Sequence, residues 1–197
     1  MTRAARRPGG TARRPTGRDA ALGVVAVRAE VRAAALVSGV VPRLGIGEVH
    51  ALGLALDAFA VAPTTDAEDA LVAQEHGVDV CGTLLVPWAP HEVHPRPVVQ
   101  VLDLSVLLLG RSDVPVGGRL AAAGFLVVEP ALWNATAALR RFGGRAVRRW
   151  RVERVRREWV RGFSPRGLDV AGADLERLPA AEDVSVRQQY VVELRAP

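Results

Sequence analysis

Between Arg140 and Arg166 the chain sets eleven arginines against two acids, and the densest part reads Arg148-Arg149-Trp150-Arg151-Val152-Glu153-Arg154-Val155-Arg156-Arg157. Guanidinium groups pair with phosphate oxygens through two parallel hydrogen bonds, and an exposed indole stacks on an unpaired base. Arg148, Arg149, Arg151, Arg154, Arg156 and Arg157 are therefore the candidate anion-binding residues, with Trp150 as the stacking group. Single-stranded nucleic acid or another polyanion is the ligand they suit. A competing arrangement turns Trp150 and Trp159 into the core and pairs the arginines on the opposite face with acids elsewhere in the chain. All 26 basic residues are arginine, and isoleucine and asparagine occur once each. Such usage points to a GC-rich bacterial genome, so arginine number alone carries little weight. The core-and-ion-pair arrangement is accordingly favoured over all the binding readings together.

A second constellation gathers His76, Cys81, His91 and His94 within nineteen residues. These are zinc-ligand types, but their spacing fits no common finger or ribbon. His91-Glu92-Val93-His94 is one residue short of the HExxH motif, and Pro90 and Pro95 deny it a helix. The stretch Val86–Val98 reads instead as a proline-stiffened connector, with Trp88 against a core edge, and no metal or cofactor is expected. Cys81 lies inside a strand-like run, where a free cysteine is ordinarily a small buried hydrophobe. Asp57 and Asp103 are carboxylates within apolar runs. Brought together they could share acid–base work, whereas a solvated sheet face would also hold each separately. No P-loop, G-x-G-x-x-G or G-x-S-x-G motif occurs. No catalytic residue is assigned.

These groups are carried by a chain of 197 residues, of which 49% are hydrophobic, enough for one core or two small modules sharing an interface. No apolar run approaches the roughly eighteen residues that a membrane-spanning helix needs. The single cysteine makes a reduced, cytoplasmic setting the natural expectation. Charge is unevenly placed. Residues 1–18 hold six arginines and no acid and read as a disordered basic arm. Residues 19–139 hold thirteen acids and six arginines, so the Arg-rich segment follows an acidic body.

Period-two alternation predicts strands over 23–41 (a helix also being open there), 49–61, 78–86, 97–109, 116–128 and 185–194. For 146–160 it predicts a bulged strand, with a helix as the competing reading. Thr65-Asp66-Ala67-Glu68 has capping-box spacing and predicts a helix from there to about His76, stopped by Gly77. A short helix or turn is expected over 130–142, and a loop with one helical turn over 162–183. Gly82-Thr-Leu-Leu-Val-Pro-Trp and Gly124-Phe-Leu-Val-Val-Glu-Pro-Ala-Leu-Trp are a faint internal echo.

The expectation is thus a mainly β domain over 19–197, with α+β as the alternative. It would close as a small barrel or as two OB-like halves, 22–96 and 97–197, resembling OB-folds in element order and hairpin style only. The first functional reading is a non-enzymatic cytoplasmic module binding nucleic acid or another polyanion, with Arg6, Arg7, Arg13 and Arg14 of the arm adding non-specific affinity. A protein-interaction or scaffold role, the basic strand meeting an acidic partner or the protein's own acidic body, is the second. A small metal-dependent or Cys/His enzyme centred on Cys81, His91 and His94 is the third.

Overall fold

The computed structural model describes residues 26–74, 77–85, 97–110, 112–129, 145–164 and 167–197. Ten strands form one sheet: β1 (Ala26–Val31), β2 (Val49–Pro63), β3 (Ala70–Gln74), β4 (Gly77–Leu85), β5 (Val98–Val101), β6 (Leu104–Leu108), β7 (Arg119–Val128), β8 (Val147–Ser164), β9 (Gly167–Leu175) and β10 (Gln189–Arg195). The helical elements are short: α1 (Ala33–Val37) and a 3-10 turn, Ala181–Asp183. The chain is mainly β, as the alternation predicts. Leu52, Leu54 and Leu56 of β2 all point inward, each at most 1% exposed. Residues 146–160 are strand rather than helix, and β8 carries two irregularities, one opposite Glu193/Leu194 and one between Val160 and Gly162.

Four local expectations need correction. The strand predicted over 23–41 ends at Val31, where Arg32 leads into α1. The helix predicted from Thr65 to His76 is absent from the described residues of that span, where β3 pairs with β4 as a hairpin. The segment before β3 is held by other bonds instead: Thr64 Oγ1 accepts the Asp66 N–H, and the backbone carbonyls of Asp66 and Glu68 accept from the Arg119 guanidinium. The strand predicted over 97–109 is two strands, β5 and β6, folded about Leu102-Asp103. Leu102 sits at φ +53°, a left-handed conformation that costs a leucine energy, and the Asp69 carboxylate helps hold it by accepting the Leu102 N–H at 2.8 Å. Finally, residues expected to be loop over 162–183 include β9, which pairs with β8 along its whole length. The segment 130–142, the connector from Val86 to Arg96 with its Trp88, and the arm lie outside the described residues.

The pairings return on themselves twice. One circuit runs β2–β7–β1–β10–β8 and back to β2; the other runs β2–β7–β4–β5–β6 and back to β2. The antiparallel pair β2–β7 belongs to both. Exchanging β2 with β7, β1 with β6, β10 with β5, β8 with β4 and β9 with β3 reproduces every pairing, with its parallel or antiparallel sense intact. The echoing glycines do not occupy equivalent places in this pattern, since Gly82 is in β4 and Gly124 in β7, two strands that pair directly. One hydrophobic cluster passes through both circuits, from Val27, Trp150 and Tyr190 at one end to Val80, Val99 and Leu104 at the other. A smaller cluster on the opposite face joins Ala55, Val98, Leu107 and Ala146.

Candidate anion-binding strand

β8 presents its two sides very differently. Val152 and Val155 face the core, and so does Trp150, whose side chain has no exposed surface. The Arg148 guanidinium lies 5.1 Å from the centre of the indole and donates to Asp103 at 2.9 Å, so it closes the core over Trp150. Trp150 therefore offers no face for a base to stack on. Arg157 lies over the half-buried Trp159 at 5.8 Å.

The outward residues form rows across β1, β10 and β8, because cross-strand partners share a face. One row sets Arg28 beside Glu193 beside Arg154; the next sets Glu30, Val191 and Arg156, and on β9 Asp174. Opposite charges consequently meet. Arg154 donates to both carboxylate oxygens of Asp174, at 3.0 and 2.8 Å, and lies 3.7 Å from Glu193. Arg156 lies 3.2 Å from Asp174 and 3.7 Å from Glu158. These contacts, Arg154 first, hold the Asp174 carboxyl below its usual range and raise the Arg154 guanidinium.

The alternation of sign fails at one place. In the row nearest the start of β8, Arg195 of β10 stands directly opposite Arg151, and Arg149 follows two residues along the same side. All three are exposed, and among the described residues none has an ion-pair partner. Like charges set opposite each other across a sheet are destabilising unless something neutralises them. Of the six arginines singled out from the sequence, the structure thus commits Arg148, Arg154 and Arg156 to carboxylates, lays Arg157 on Trp159, and leaves Arg149 and Arg151 open. Arg195 joins them only through the β8–β10 register, which no local sequence signal announces.

The other candidate groups are engaged separately. Asp57 accepts from Arg32 at 2.6 Å and Asp103 from Arg148, so each carboxylate has its own arginine rather than the other acid. The Cys81 thiol accepts from Arg119 at 3.4 Å. The same guanidinium also bonds Asp69, Thr83 and two backbone carbonyls, and pinning the 64–69 loop accounts for that arrangement. His76, His91 and His94 lie outside the described residues, and among those described no group of three metal-ligand types converges.

At the entry to β2, Glu48 accepts from His50 at 2.9 Å, from the Gly45 N–H at 3.0 Å and from Arg177. These bonds, His50's foremost, pull its carboxyl down to about 2 from an ordinary 4.5. A depressed carboxylate contributes stability that is complete above its unfolded value and disappears as pH falls through the folded one. Glu48→Gln is accordingly expected to lower the denaturation midpoint at pH 7, with the difference from wild type shrinking between about pH 4.5 and 2. A pH-independent difference in urea titrations would rule this linkage out.

No helix of the described residues is long and apolar enough to cross a membrane. Comparison of the chain with protein-family models, curated proteins and solved structures returned no match.

Proposed function

We propose that the chain is a non-enzymatic binding module that contacts the phosphates of nucleic acid through Arg149, Arg151 and Arg195. The observation that supports this is the facing of Arg151 and Arg195 across β8 and β10, exposed and without a carboxylate partner among the described residues, on a face where the neighbouring rows alternate in sign. A phosphodiester placed between two such guanidinium groups relieves their repulsion and accepts bidentate hydrogen bonds from each. With Trp150 inside the core, recognition runs through charge rather than base stacking, so it is independent of sequence and strongly salt-dependent. In this proposal the two pairing circuits are two small OB-like barrels sharing β2 and β7, with the arginine strip on the outer wall of one of them.

The middle of the strand favours the core-and-ion-pair arrangement instead: Arg154 and Arg156 are engaged by Asp174, Glu158 and Glu193, so much of the basic charge meets the protein's own acids.

The test compares two variants in the full chain, so that the arm contributes equally to both. A labelled single-stranded oligonucleotide is titrated by fluorescence anisotropy over a salt series. The triple change Arg149→Ala, Arg151→Ala, Arg195→Ala is expected to weaken binding at least tenfold at low salt. It should also flatten the log–log salt slope by about 2, since each phosphate contact on a single strand contributes about 0.7. Arg154→Ala with Arg156→Ala is expected to change affinity little. Equal binding by wild type and the triple variant would end the proposal.

A further inference from the structure

On the same outer face, farther along β8, a cavity of about 210 Å³ opens between β7, β1, β10, β8 and β9. We propose that it is a binding site for a primary ammonium group carried on an apolar body the size of a single ring. The ammonium would meet Glu30, and the body would lie against Phe125, Val160 and Val170.

Size sets the first limit. A cavity of roughly 150 Å³ holds benzene, so this one accommodates a ring with a short side chain but not a nucleotide. The walls set the second. Phe125 leans on Phe59 with ring centres 5.9 Å apart, and Phe59 projects at the irregularity of β2 between Ala58 and Ala60. Val160 and Val170 are cross-strand partners, 53% and 38% exposed, and both line the cavity. Apolar side chains left open around a concave site gain by covering it with apolar matter.

The sign of the ligand's charge follows from which polar groups are still available. Glu158, 6% exposed, is closed off because Arg28 donates to both its oxygens, at 2.9 and 2.8 Å. That contact occupies Arg28 as well. Glu30 differs: Gln189 donates to one oxygen, and the other has no partner among the described residues. Burial foremost, and the nearby charge of Asp57 next, push the Glu30 carboxyl above its ordinary value, with Arg28 and Arg32 opposing. An ammonium group supplies the missing donor and restores the favoured charge. The remaining charge in the lining is Arg187, which is exposed, where water and salt screen it.

The probe is 2-phenylethylamine, with 3-phenylpropionate as its counterpart of similar size and opposite charge, titrated into the labelled full chain and followed by amide NMR. Saturable shifts at Gly77, Phe125, Val160 and Val170 are expected with the amine and not with the acid. Glu30→Gln should weaken the amine at least tenfold. This variant removes a carboxyl that burial already disfavours, so its own fold should persist. Val170→Trp, which fills the cavity from the rim, gives a second and independent loss of binding. Shifts with phenylpropionate alone, amine binding indifferent to Glu30→Gln and Val170→Trp, or no amine shifts at millimolar concentration would each overturn the assignment. None of these outcomes bears on the arginine strip, whose oligonucleotide titration stands apart.

Discussion

Replacing Trp150 by alanine is expected to destabilise the fold by about 3–5 kcal/mol, the usual cost of emptying a large aromatic site in a packed core. The indole is fully enclosed, packs among the residues that line both circuits, and is capped by Arg148, which itself reaches across to Asp103 at the β5–β6 turn. Truncation therefore opens a cavity and also removes the ring over which that guanidinium lies. Urea denaturation measures the loss. Trp150→Phe, which keeps most of the volume, should restore more than half of it. If Trp150 were instead a stacking group, the same substitution would leave the midpoint alone and weaken oligonucleotide binding. A loss below about 1 kcal/mol would contradict the core assignment.

Gly124→Ala is expected to cost about 3 kcal/mol, at the upper end of what overpacking does in a well-packed interior. A Cβ at this position would overlap the Asp57 carbonyl oxygen and lie 2.8 Å from the Ala58 Cα, and both are backbone atoms of the paired strand β2. No rotamer change can relieve that contact, so β2 and β7 would have to separate. Because these two strands belong to both circuits, the disturbance should reach both ends of the molecule. Amide exchange should therefore quicken in β10 and in β5 alike. Acceleration confined to β4, the other neighbour of Gly124, would argue that the circuits are mechanically independent.

What the sequence could disclose depended on whether a segment's conformation is decided locally. Leu52, Leu54 and Leu56 alternate with smaller or polar residues, and burial on one face of a sheet is enough to explain them. The Ala70–Gln74 run favours a helix by composition, and the capping box before it is sound chemistry. Even so, a strand partner in β4 and the Arg119 guanidinium across the fold decide the outcome. Gly167–Leu175 has two interior-weakening features, glycine and aspartate, and becomes a strand because β8, separated from it by two residues, is long enough to template it. The β5–β6 turn was hidden for a different reason: Leu102, not glycine or asparagine, takes the left-handed position. In the candidate site, the arginines of β8 were legible as a set. Their division into engaged and open members was not, since it rests on registers with β9 and β10. Arg195 illustrates this best, being isolated in sequence and adjacent to Arg151 in space.

The strand pattern also constrains the order in which the protein can assemble. β1 pairs with β10 from Ala26↔Arg195 to Val31↔Tyr190, and touches β7 at Glu30↔Val127. Among the described segments the first strand therefore has no partner until the seventh and the last have been made. Contacts between such remote parts of a chain slow folding, because loop-closure entropy is paid before they form. On the ribosome, the circuit β2–β7–β4–β5–β6 can close while β8 to β10 are still to come. The arginine strip and the ammonium cavity, both built from β8 and β10, would be the last parts of the molecule to take shape.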